Sequence, residues 1–134
     1  MFKRPEYQTI KNRLEEPRKF IQVVMGPRQV GKSTVVKQVL KELDTPYQIF
    51  SADNVPTTNS AWVSNCWEAT RSVQKNKGYK SIVLVIDEIQ KIANWSEAVK
   101  KEWDADTFHD RNIKVLLLGS SRVLLEKGLS ESLA

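Results

Sequence analysis

Gly26-Pro27-Arg28-Gln29-Val30-Gly31-Lys32-Ser33 fits the pattern G-x-x-x-x-G-K-[ST] of a phosphate-binding P-loop. The apolar run before it, Phe20-Ile21-Gln22-Val23-Val24-Met25, predicts a buried strand. After it, apolar residues recur at helical spacing (Val35/Val36, Val39/Leu40, Leu43), which predicts a helix over 33–43. Strand, glycine loop and helix in that order are the context the motif requires. Gly26 and Gly31 tolerate positive φ and close backbone approach, so successive N–H groups can turn toward phosphate oxygens. The helix N-terminus adds roughly half a positive charge to that nest. Lys32 is placed to reach the β- and γ-phosphates and Ser33 to offer its hydroxyl to Mg²⁺. The candidate nucleotide-binding set is therefore Gly26, Pro27, Arg28, Gln29, Val30, Gly31, Lys32, Ser33 and Thr34.

Downstream, Ser81-Ile82-Val83-Leu84-Val85-Ile86-Asp87-Glu88 carries aliphatic residues without alternation, the pattern of a strand covered on both faces of a parallel sheet. Its two acids stand at the carboxyl end, where open α/β sheets place their ligands. This is a Walker B pattern: Asp87 for the Mg²⁺ site and Glu88 to polarise an attacking water. Such acids could also be a solvated turn, but a P-loop upstream needs a partner for the same metal.

Between and around these stretches the chain alternates. Residues 5–16 put Tyr7, Ile10 and Leu14 on one face of a short helix, broken by Pro17. Residues 47–52 read as a second strand and 53–56 as the loop leaving it. Trp62, Val63, Cys66, Trp67, Thr70 and Val73 predict a helix from about 59 to 75, stopped at Gly78. Ile89 to Asn94 reads as a loop, and Trp95, Val99 and Trp103 form the core stripe of a helix running to about Phe108. Residues 113–118 are a further apolar strand, ending at Gly119-Ser120-Ser121-Arg122. His109 lacks companions for a metal set and reads as a surface residue.

A chain of 134 residues, 40% hydrophobic and 28% charged, is sized for one domain. No apolar run reaches the ~20 residues of a membrane span, and the N-terminus has no signal-peptide core. One cysteine, Cys66, excludes an internal disulfide and fits the cytoplasm. The net charge of +5 permits nucleic acid as a partner. No run of five like charges and no aromatic–basic interleaving supports it.

Taken together, residues 26–33, Val85-Ile86-Asp87-Glu88-Ile89-Gln90-Lys91-Ile92 with Trp95, and Leu118-Gly119-Ser120-Ser121-Arg122 through Ser130-Glu131-Ser132-Leu133-Ala134 carry a resemblance. The chain resembles the AAA-type ATPases of bacteria and archaea that pair an N-terminal ATPase domain with a C-terminal domain of unknown function. The resemblance implies an α/β P-loop fold of the ASCE type, three-layered, with a parallel sheet of order 5-1-4-3-2 and helices on both faces. Strand 113–118 would lie between the Walker A and Walker B strands. Ser120 would be sensor 1, reading the γ-phosphate, with Ser121 the alternative one residue on. It further implies that residues 1–134 are one ATPase core, with 1–19 a helical lead-in, and an N-terminal fragment of a longer protein. Strand 5, the helical lid, sensor 2, an arginine finger and the C-terminal domain would follow. On that reading the fragment turns over weakly, and its exposed first strand (20–25) invites self-association.

The function so implied is Mg²⁺-dependent ATP binding and hydrolysis coupled to a partner domain. Two other classes compete: a nucleotide-regulated scaffold with little turnover, and a small-molecule P-loop kinase. Glu88 argues against both, because neither needs a water-polarising acid beside Asp87. GTP is disfavoured, since Asn76-Lys77 continues Gly78-Tyr79 and is no guanine-reading Asn-Lys-x-Asp.

Overall fold

The computed structural model describes residues 11, 12, 14, 15, 18, 19, 21–25, 32–59 and 61–119, without the side chains of residues 25, 32 and 33. The elements are β1 (Gln22–Met25), α1 (Lys32–Leu43), β2 (Tyr47–Ser51), α2 (Ala61–Lys77), β3 (Ile82–Asp87), a 3₁₀ turn (Ile89–Lys91), α3 (Trp95–Phe108) and β4 (Ile113–Gly119). The four strands form one parallel sheet in the order β1-β4-β3-β2. β4 thus sits between β1 and β3, as the expected strand order requires.

Two apolar layers show why β3 needs no alternation. Ile82, Leu84 and Ile86 join Ile113, Val115 and Leu117 beneath Val63 and Trp67 of α2 and Trp95 and Val99 of α3. Val83 and Val85, on the opposite face, join Leu116 and Leu118 beneath Val36, Val39 and Leu40 of α1, together with Leu14. Helices cover both faces, and each fully buried aliphatic contributes ~1.5–3 kcal/mol of transfer free energy. Of the lead-in helix, Lys11, Asn12, Leu14 and Glu15 are helical among the described residues. Lys114 donates from Nζ to the Leu14 carbonyl at 2.7 Å. Tyr7 and Ile10 lie outside the described residues.

Several expected boundaries move. β1 starts at Gln22, where pairing with Leu116 begins, and Ile21 is buried ahead of it as coil. α2 starts at Ala61, because Asn59 donates to Pro56 and accepts from Trp62 in a preceding turn, and it extends to Lys77. Gly78 follows with φ +69°, the left-handed cap its glycine predicts. The stretch after β3, expected as plain loop, contains the 3₁₀ turn 89–91.

The predicted stripe on α3 packs against one core cluster, with Trp103 its less buried member. Trp95 and Val99 are buried, but Trp103 is only half-buried and lies under Arg18, whose guanidinium carbon is 3.6 Å from the ring centre. The inward positions after Val99 are acids, Glu102 and Asp106. Asp106 accepts from Trp67 Nε1 and Arg71 Nε, both at 2.9 Å, and from Arg111 at 3.1 Å. Glu102 accepts from Arg71 at 2.8 Å and from the Ser64 hydroxyl at 2.9 Å. Buried charges persist only when paired in this way. Burial also raises the Cys66 thiol to a pKa of about 12, so this cysteine is an inert core residue.

Candidate nucleotide site at the carboxyl edge of the sheet

All four strands are parallel, so their carboxyl ends share one edge. In register across it, Met25 pairs with Gly119 and Ser51 with Asp87. β1 ends directly before residues 26–31, and α1 begins at Lys32, so the helix N-terminus belongs to the segment that leaves this edge. Lys32 and Ser33 occupy the first turn of α1; Thr34, next on the helix, is exposed. Gly26, Pro27, Arg28, Gln29, Val30, Gly31, Ser120 and Ser121 lie outside the described residues. The backbone fixes only that Gly26 and Ser120 each follow one member of the paired Met25–Gly119 couple.

The acidic half of the site is described in full. Asp87 is half-buried at the end of β3, and its carbonyl accepts from Ala52 N at 3.0 Å, joining it to the segment after β2. Glu88 leaves the strand in the left-handed region, φ 57° and ψ 40°, and is 5% exposed. Left-handed backbone costs a non-glycine residue roughly 1–2 kcal/mol, and such strain persists only where the surroundings impose it. They do so here. Lys91 N donates to the Glu88 carbonyl at 3.1 Å, Ile92 N donates to the Ile89 carbonyl at 3.1 Å, and Ile89 and Ile92 are anchored in the core. Lys91 pairs with Asp53, and Ala93 N donates to the Thr57 carbonyl at 2.9 Å, tying the turn to the loop after β2. The Glu88 carboxylate itself accepts from Gln90 Nε2 at 2.9 Å.

Chemically, this edge offers a helix N-terminus for anion charge, one half-buried carboxylate and one buried carboxylate in a fixed turn. Among the described residues no three His, Cys, Asp or Glu side chains gather as a metal cage. Mg²⁺ does not need one: it binds through one or two carboxylates with waters and substrate phosphates. Asp87 and Glu88 stand at the edge from which the chain runs on from β1 toward α1. A separate cleft of about 750 Å³, lined by Arg71, Lys75, Tyr79, Lys80 and Arg111 among others, opens by the amino ends of β3 and β4, away from this site. No helix among the described residues is long and apolar enough to cross a membrane.

Sequence reasoning missed the hold of Gln90 on Glu88 and the ionic cluster between α2 and α3. A signal for the latter was present. Positions 95, 99, 102 and 106 share one helical face, so two acids continuing an apolar stripe must meet partners inside.

With the geometry in place, the comparisons bear on it. A family model for the AAA domain matches residues 18–134. No curated protein matches, whereas 210 chains of solved structures are similar to this one. One of these, from work on the structural basis for katanin self-assembly, superposes with a TM-score of 0.59 at 22% identity. The superposition covers 90% of this chain and 40% of that one, so the chain spans less than half the katanin structure. At that identity the likeness speaks for the fold, a parallel α/β sheet of the P-loop type.

Proposed function

The chain belongs to the AAA domain family, and from that premise we propose that residues 1–134 form a P-loop ATPase core that binds ATP with Mg²⁺ and hydrolyses it. The observation that carries this reading is the strand order β1-β4-β3-β2. It sets the P-loop strand beside β4 and brings the start of α1, the end of β4 and Asp87-Glu88 to one edge. Lys32 and the 26–31 backbone would hold the phosphates, Ser33 and Asp87 the Mg²⁺, and Thr34 would complete the first turn of the cradle. Bound there, Mg²⁺ would neutralise charge developing on the phosphates. Glu88 would take a proton from the attacking water, and Ser120 would report the γ-phosphate. In the full protein, nucleotide state would be coupled to a C-terminal domain.

The test is paired. Lys32→Ala should abolish Mg-ATP binding in a calorimetric titration while the circular-dichroism spectrum is unchanged. Glu88→Gln should bind as wild type yet lose hydrolysis in a single turnover. Equal binding by the Lys32 variant would end the P-loop reading. Tight binding by wild type with no turnover would make the protein a nucleotide-regulated scaffold instead. Association belongs to the same proposal. Among the described residues β1 is an outer strand, and a strand in that position takes up another. Sedimentation velocity of residues 1–134 over a concentration series measures whether a second copy does so.

A further inference from the structure

We propose that Gln90 is the positioning residue for the Glu88 carboxylate, which makes it a determinant of turnover outside the phosphate-binding loop and the Asp87-Glu88 pair. The inference rests on the reading of Glu88 as the base that activates water. The last torsion of a glutamate is broad, so the side chain alone does not define where its carboxylate oxygens point. A base must present an oxygen within hydrogen-bond reach of the water it deprotonates, so that torsion has to be set from outside. Gln90 sets it. Its Nε2 donates to Glu88 Oε1 at 2.9 Å, a charge-assisted bond between a neutral amide and a carboxylate.

The backbone between the two residues makes the contact a built one. Glu88 stands in the left-handed region and the next three residues close a 3₁₀ turn, which swings the side chain at 90 back over the one at 88. Ile89 is fully buried and Ile92 is 2% exposed, so both residues flanking Gln90-Lys91 are fixed in the core. The Lys91–Asp53 pair fixes the turn from its outer side. Gln90 is half-buried, so its amide is screened from the water that would compete for the bond. Taking up the left-handed strain at Glu88 has a return in this geometry, because the turn puts the amide two residues downstream against the acid.

The experiment uses the full-length protein and reads nucleotide affinity and single-turnover hydrolysis separately. Gln90→Met keeps the length of the side chain and removes the donor. It should slow hydrolysis by about tenfold, as small misplacements of catalytic groups do, with ATP affinity within about twofold of wild type. Gln90→Glu, of the same size and also without the donor, is the second variant and should be at least as slow. Glu88→Gln and the double variant Glu88→Gln/Gln90→Met complete a cycle. If Gln90 acts through the carboxylate, the double variant hydrolyses at the rate of Glu88→Gln alone. A purely structural role for Gln90 would slow both backgrounds by the same factor, and that result overturns the proposal. So does a wild-type rate in Gln90→Met and Gln90→Glu while Glu88→Gln is reduced to a slow residual rate. A Glu88→Gln protein with undiminished turnover overturns the reading of Glu88 itself, and the proposal goes with it.

Discussion

Removing the carboxylate of Asp106 should cost this protein about 3–5 kcal/mol, a large part of the ~5–15 kcal/mol by which a domain is stable. The figure follows from what the carboxylate holds. Asp106 is fully buried, and Oδ2 accepts from the Trp67 indole while Oδ1 accepts from Arg71 and Arg111. Alanine would strip three donors at once. The Trp67 Nε1–H would be left buried without a partner, at ~1–3 kcal/mol. The Arg71 guanidinium, its side chain 14% exposed, would keep only the two glutamates for its charge. The Arg111 share is small, because that side chain is one-third exposed and solvent screens it. Asparagine is the sharper probe. Whichever way its amide is turned, an NH₂ group faces either the Trp67 N–H or the arginine N–H groups, so the substitution should cost ~2–3 kcal/mol at nearly constant volume. Urea unfolding followed by tryptophan fluorescence reads both variants, with the slope m unchanged if only the folded state is affected. An Asp106→Asn protein within 0.5 kcal/mol of wild type, roughly the spread of neutral surface changes, would refute the account of the α2–α3 contact as an ionic clamp.

Three further outcomes follow from neighbouring geometry. Arg18→Lys keeps the charge but loses the fork that donates to the Ile113 and Trp103 carbonyls, both at 3.0 Å, and to the Thr107 hydroxyl at 2.9 Å; it also loses the stacking on Trp103. Melting should fall by about 3–8 °C for the ~1–2 kcal/mol involved, and an unchanged melting temperature would contradict the role of the fork. Cys66 should resist thiol reagents at neutral pH until the protein unfolds. Burial raises its folded pKa to about 12 from an ordinary 9.0, so the stability linked to this group is whole below about pH 9 and is lost as pH rises toward 12. Rapid labelling of native protein at pH 7 would show the thiol is not buried. Finally, Trp67→Phe should destabilise by at least ~1 kcal/mol more than Trp95→Phe in matched unfolding curves, because the Trp67 N–H satisfies Asp106 whereas the buried Trp95 N–H has no hydrogen-bond partner to lose. Equal losses would mean that volume alone matters at both sites.

The parts of the fold legible in the sequence were those set by local chemistry. The unbroken aliphatic run 82–86 announces a strand buried on both faces, and the two clusters divide its residues odd from even. Gly78 stops a helix because only a left-handed residue fits there. The strand order was not written in any periodicity; it followed from the resemblance carried by the motifs and agrees with the observed sheet. What stayed hidden depends on contacts between segments far apart in the chain. Glu102 and Asp106 continue the apolar face of positions 95 and 99, but nothing local names their partner Arg71, more than thirty residues earlier in the chain. Trp103 packs against the core as its spacing suggests, but the cover it receives from Arg18, in the residues before β1, is not visible in the helix. Glu88 is a different case: its partner is two residues away, but the contact exists only because Glu88 takes a backbone conformation that glutamate seldom adopts.

Strain and stability therefore occupy different places in this molecule, and the separation has a physical reason. The described non-glycine residues with left-handed backbone are Asp44, Glu88, Asn94 and Asp110. Asp44 and Asp110 each follow the end of a helix, where such a turn relieves the last carbonyls. Glu88 and Asn94 instead bracket the turn beside the candidate site, and neither makes a side-chain capping bond for the helix it precedes. Two strained residues within seven need rigid support. They have it from the core beneath Ile89, Ile92 and Trp95 and from the α2–α3 clamp, which holds α3 against α2 through Trp67, Arg71 and Asp106. Loosening that clamp should let the turn relax and carry Glu88 away from its set position, although no clamp residue touches the acid. An Asp106→Asn protein assayed well below its melting temperature should therefore lose turnover beyond the fraction unfolded. Loss in strict proportion to the unfolded fraction would show that the turn holds Glu88 without help from α3.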